Sequence, residues 1–170
     1  MALGGYPWYV PHLLRHIPRT LFFIINQRSG TMKITVWIAR GLIGLVFFFN
    51  IQCAILFLAY PKSYAPGFEL TGEAGSAMMR GIGLLLIMWN VPYAVAFWQP
   101  DRHFLSLVES TLMQAIGFIG ESLLLLNLPL GHAAIQFSVQ RFIFFDGWGF
   151  IALLIALGLV YRLKYFLPRR

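Results

Sequence analysis

Residues 113–129 read MQAIGFIGESLLLLNLP: a run apolar enough to cross a bilayer, broken by Gln114 and Glu121. A carboxylate in such a run is expensive in lipid, and polar side chains inside spans almost always face inward. The helical phase of residue 121 therefore indicates where the inside of the protein is. Counting back along the same segment, Ser106, Ser110, Gln114, Gly117 and Glu121 recur at spacings of 4, 4, 3 and 4. They form one stripe of small and polar residues on a helix otherwise covered by Leu, Ile and Phe.

The rest of the chain repeats this pattern. Its 170 residues are 59% hydrophobic and only 11% charged, with a mean hydropathy of +0.72. Soluble globular domains are roughly 45 to 50% apolar, so the composition points to a membrane protein. Four stretches meet the length of about 20 apolar residues needed to cross a hydrocarbon core: residues 36–60, 78–98, 104–127 and 142–163. None alternates with period 2, so helices are expected and not barrel strands. The expected fold is an all-α integral membrane protein, a four-transmembrane-helix bundle over 36–163. A cytoplasmic-side segment, 1–35, precedes it and a basic tail, 164–170, follows it.

The second segment carries a series of its own, Ser76, Arg80, Gly83, Ile87, Asn90 and Ala94, and on the first Gly41, Gly44 and Gln52 fall near one face. The three stripes are expected to meet at a common axis. Pro92, in MWNVPYAV, is expected to kink the second segment and free a carbonyl near Asn90. The WQPDRHF turn (98–104) joins segments two and three, with Asp101 placed to cap the latter.

The charges lie mostly at segment ends. Arg15, Arg19, Arg28, Lys33, Arg40, Arg102, Arg162, Lys164, Arg169 and Arg170 share one side, and Lys62, Arg80 and Arg141 the other. The excess of positive charge places both termini in the cytoplasm, and the localisation expected is the bacterial inner membrane. The formal net charge of +7 is thus explained by topology, with no basic patch suited to nucleic acid. In the leading segment His12, Arg15, His16 and Arg19 fall at i, i+3, i+4 and i+7, the basic face of a short interfacial amphipathic helix lying on anionic headgroups. The two histidines have ligand spacing but no third ligand nearby, so no metal site is assigned. Pro18 divides that segment.

Within the spans, Arg80 is the first choice to pair with Glu121, and Arg141 with Asp146 is the competing ion pair. Two readings of these groups stand side by side. They are structural pairs that fix helix register, or they belong to a polar pocket formed by Arg80, Asn90, Gln114, Glu121 and Gln52 that receives a small molecule. Glu109, about 100° from the stripe, is available to Arg102, Arg40 or a neighbouring subunit. Hydrolase, metalloprotease, P-loop and CxxC motifs are absent from the sequence, and no span contains a histidine to ligate a haem or chlorin. The single cysteine, Cys53, lies in an apolar run and has no intrachain disulfide partner.

IARGLIG (38–44), MMRGIGLLL (78–86) and QPDRH (99–103) resemble the openings and turn of small bacterial four-helix membrane proteins of the DoxX-like kind. The resemblance covers roughly residues 36–127 and implies a bundle far more than an activity. The expectation for function is a non-catalytic accessory subunit packed against other integral membrane subunits, an electron-transfer or photosynthetic complex being one such host. The alternatives are a quinone- or lipid-binding protein or enzyme that uses the polar pocket, and an oligomeric transporter or channel. No cofactor is evident beyond a bound lipid or quinone.

Overall fold

The computed structural model describes residues 19–166, with side chains from residue 32 onward. Its elements are α1 (Arg19–Ala59), α2 (Pro61–Tyr64), a 3-10 turn (Ala65–Phe68), α3 (Gly72–Trp89), α4 (Val91–Trp98), α5 (Phe104–Leu126) and α6 (Ala133–Phe166). The described residues contain no strand. The chain divides into two compact units, Met1–Ile34 and Thr35–Arg170. His12, Arg15 and His16, with residues 167–170 of the basic tail, lie outside the described residues, as does the side chain of Arg19. The expected boundary near residue 36 does not appear as a helix end. No proline falls between Arg19 and Ala59 to break α1, and the Ser29–Gly30 pair does not end it.

Among the described residues, three helical stretches are long and apolar enough to cross a membrane: Met32–Ala59, Gly72–Trp98 (α3 with α4) and Ala133–Phe166. Helix α5 has 23 residues, ~34 Å at 1.5 Å per residue. Its length suffices, but Glu109, Ser110, Thr111, Gln114, Glu121 and Ser122 dilute its apolar character, and it is not among the three.

The breaks follow proline and glycine chemistry. Pro61 occupies the first turn of α2 immediately after α1 ends, where its missing N–H costs nothing. Asn90 separates α3 from α4 and Pro92 sits in the first turn of α4, so the helix is interrupted where the kink was expected. The Asp101 cap is not. The residue before α5 is His103, no side chain caps that end, and the turn is held by the Arg102 and His103 N–H groups on the Gln99 carbonyl at 3.1 and 2.9 Å. Gly72, at φ +66°, takes a left-handed conformation that only glycine adopts freely.

In the larger unit, neighbouring helices run antiparallel. Residues Ala39, Ile43 and Val46 of α1 meet Tyr93 and Ala96 of α4, Leu107 of α5, and Leu153, Ala156 and Val160 of α6 in one buried cluster. A second cluster at the opposite end gathers Phe57, Ala65 and Met79 with Tyr64, Phe68 and Phe142 around them. Close approach depends on glycines. A Cβ at Gly83 would stand 2.9 Å from the Ala54 carbonyl oxygen, and one at Gly44 would meet the Phe97 ring at 2.7 Å. Without a hydrophobic drive between helices in lipid, such backbone contact is a main source of association.

Candidate functional site

The polar residues of the larger unit converge at mid-helix on Gln114. Tyr93 donates its hydroxyl hydrogen to Gln114 Oε1 at 2.7 Å, and Gln114 Nε2 donates to Asp146 Oδ1 at 2.7 Å. One amide thus ties α4 to α5 and α5 to α6. Of the neutral side chains only an amide offers both a carbonyl acceptor and an N–H donor at its tip. The carboxylate on one side and the hydroxyl on the other fix which way it faces. Tyr93 and Gln114 are each 3% exposed.

Glycines close the site. A Cβ on Gly117 would overlap the Asp146 carboxylate, and one on Gly149 would lie 2.6 Å from Gln114 Nε2. The hydroxyls nearby are satisfied within their own helices: Ser110 on the Ser106 carbonyl, Thr111 on Leu107 and Ser122 on Phe118, at 2.7, 2.7 and 2.6 Å. Back-bonding of this kind leaves no stray donor on the packed face.

The expected stripe on α5 stands: Ser110 and Gln114 are buried, and Ser106, Gly117 and Glu121 half-buried. The stripe on α3 and α4 does not. Ser76, Gly83 and Asn90 are buried, whereas Arg80, Ile87 and Ala94 are exposed. The inward face is centred nearer Met79, which is fully buried, and Arg80 stands one residue, or about 100°, round the helix from it. Gln52 also faces outward and joins no pocket.

Neither expected intramembrane ion pair forms among the described residues. Arg80 does not reach Glu121, and Arg141 does not pair with Asp146. For the second the reason is phase, since five residues turn a helix by about 500°, leaving the two side chains ~140° apart. The acid of α6 has Gln114 as its partner instead. Tyr93, which links α4 to the network, was missed; its signal was its place three residues after Asn90 on the buried face. The ion pairs found lie in the connections or at their helix ends: Lys62 with Glu73 at 3.0 Å and His132 Nδ1 with Glu69 Oε2 at 2.6 Å. Beside the latter, the Ser138 hydroxyl donates to the Gly67 carbonyl at 2.7 Å.

Two enclosed acceptors have no donor among the described residues. Asn90 is 2% exposed; its Nδ2 bonds the Leu86 carbonyl at 2.6 Å, but its Oδ1 has no partner. Glu121 Oε2 is likewise enclosed and unpartnered. Among the described residues no group of three or more His, Cys, Asp and Glu is gathered to hold a metal ion.

A concavity of about 400 Å³ lies away from these polar groups. It is lined by Phe118, Ile143, Phe144, Gly147, Trp148, Phe150 and Ile151, between α5 and α6. None of Asn90, Gln114 or Glu121 lines it.

Comparison with protein-family models, curated proteins and solved structures found no match to this chain.

Proposed function

We propose that this chain is an integral membrane protein of four spans, with α5 as the additional one, acting as a non-catalytic accessory subunit of a larger membrane complex. The observation that carries this reading is Glu109. It is exposed on the outward face of α5, in line with Leu105, Leu112 and Ile116, which are 69, 58 and 62% exposed. No hydrogen bond or ion pair reaches it from the described residues. Five residues, ~8 Å, separate it from the start of α5, so it bears part of the about 2.5 to 3.5 kcal/mol that a charged side chain costs at a helix centre on insertion scales. A lysine or arginine on a neighbouring membrane chain relieves that cost. The centre of the bundle supports the same reading, because the Tyr93–Gln114–Asp146 hydrogen bonds close within the chain and Gly117 and Gly149 pack directly against them. Both termini are cytoplasmic in this reading, by the asymmetry of Lys and Arg, and the bacterial inner membrane is the proposed location.

The test is extraction of the tagged chain in a mild detergent, with photo-crosslinkers at residues 112 and 116. A distinct membrane chain should crosslink from both positions and be lost on Glu109→Lys, while Glu109→Gln retains it in part. A wild-type chain that runs alone as a stable monomer would overturn the proposal.

A second reading, a small-molecule binder, is favoured by the donorless Asn90 Oδ1 and Glu121 Oε2, which a ligand hydroxyl would satisfy. Mass analysis of organic extracts of the same preparation separates the two. A stoichiometric small molecule lost on Asn90→Leu would support it.

A further inference from the structure

One wall of the groove between α5 and α6 belongs to a stripe on α6 that also carries a cation, Arg141. Phe137, Arg141, Phe144, Trp148 and Ile151 follow one another along α6 at spacings of 4, 3, 4 and 3, so they form one stripe. All are exposed, the four apolar ones by 63, 69, 61 and 49%. Phe144, Trp148 and Ile151 wall the groove, and Gly147 gives it depth. A Cβ there would stand 3.2 Å from the Phe118 ring of α5, so the missing side chain is what lets the two helices form a notch.

The Arg141 guanidinium lies over the Phe137 ring, 5.9 Å from its centroid. Side chains on a helix lean toward its N-terminus, so this arrangement carries the charge along α6 away from the groove, the direction in which long cationic side chains reach headgroups. No carboxylate pairs with it among the described residues.

From Ile143 to Ile151 is eight residues, ~12 Å along the axis, close to the ~15 Å depth of one leaflet of a 30 Å core. The concavity of about 400 Å³ is walled almost wholly by apolar side chains and is open along its outer side. An extended hydrocarbon chain suits such apolar walls, and Arg141, two residues before Ile143 on the same helix, offers a cation toward the N-terminal end of α6 for the phosphate that such a chain carries.

We infer that the α5–α6 groove seats one acyl chain of an anionic glycerophospholipid whose phosphate is held by Arg141. The site is separate from the Glu109 face, and its fate does not depend on whether that face meets a partner.

Trp148 in the groove wall reports directly on occupancy. The purified full chain is reconstituted with phosphatidylglycerol or phosphatidylcholine carrying dibrominated acyl chains, and the Trp148 signal is taken as wild-type fluorescence minus that of Trp148→Phe. Brominated phosphatidylglycerol should half-quench Trp148 at a several-fold lower mole fraction than brominated phosphatidylcholine. Arg141→Gln should abolish that preference, with Arg141→Lys keeping part of it. Gly147→Leu should abolish it while leaving Arg141 in place, and thermal unfolding of each variant establishes that it is folded. Native mass spectrometry should show one phospholipid retained per wild-type chain and none on Arg141→Gln. Equal quenching by both lipids in the wild type would overturn the inference, as would preference unchanged in Arg141→Gln or Gly147→Leu. So would a Trp148 shielded from both lipids in a chain that runs as a dimer, which would give the groove to a second copy.

Discussion

Replacing Gln114 by Leu removes the side chain whose hydrogen bonds join α4, α5 and α6, at little change in volume. Two hydrogen bonds disappear, Tyr93 to Oε1 and Nε2 to Asp146, both 2.7 Å long. Hydrogen bonds between membrane helices average about 0.6 kcal/mol and reach about 1.7, so the direct loss is about 1 to 3 kcal/mol. The stranded partners push it toward the upper end, because Asp146 keeps a carboxylate with no donor and Tyr93 keeps a buried hydroxyl with no acceptor. Tyr93→Phe should cost only about 1 kcal/mol, since the amide oxygen it leaves behind is the milder loss. With Tyr93→Phe already in place, Gln114→Leu no longer strands the hydroxyl, so the double variant should be less destabilised than the sum of the singles by about 1 kcal/mol. The assay is SDS-driven unfolding in mixed micelles, followed by tryptophan fluorescence. A Gln114→Leu protein within about 0.5 kcal/mol of wild type, or an additive cycle, would refute the view that this amide holds α4, α5 and α6 together.

Three further outcomes are expected. Gly117→Ala and Gly149→Ala should each cost about 1 to 3 kcal/mol by overpacking against Asp146 and Gln114, whereas Gly81→Ala and Gly158→Ala, which meet nothing within 4 Å, should be neutral or stabilising by up to about 1 kcal/mol; thermal unfolding in detergent compares the four. Arg80→Ala should leave stability within about 0.5 kcal/mol of wild type, because the side chain is exposed and holds no buried acid; a large loss in the same assay would restore the pairing with Glu121. Ser138→Ala should cost about 1 kcal/mol and act locally, raising hydrogen exchange in residues 60–71 before the rest of the chain.

The sequence showed most where helical phase was sampled densely. On α5 five small or polar residues mark one face, and that face proved to be the inward one. Of the series expected on α3 and α4, only Ser76, Gly83 and Asn90 belonged to the buried side. Arg80 pulled the apparent centre toward itself because an arginine in an apolar run looks like an interior residue, although its long side chain tolerates the rim. Pairing partners were less legible than faces. Glu121 and Arg80 were matched by depth alone, yet hydrogen bonding also needs the two side chains to point across the same gap, and that depends on helix rotation, which spacing within one helix does not fix. The Gln114 to Asp146 contact required knowing that Gly149 and Gly117 let α5 and α6 approach at that level. The Asp101 cap failed for a local reason, since the turn continues two residues further before α5 begins.

Helix α6 has 34 residues, ~51 Å from end to end, against a hydrocarbon thickness of about 30 Å. It is fastened near both ends, by Ser138 to the Gly67 carbonyl and by Tyr161 and Tyr165 against Phe104, with ring centroids 6.3 Å apart in each case. In a bilayer the surplus cannot be absorbed by α6 sliding past its neighbours. Either its ends stand clear of the lipid as posts or the whole assembly leans, and a change in membrane thickness becomes a load that all the packed helices bear together.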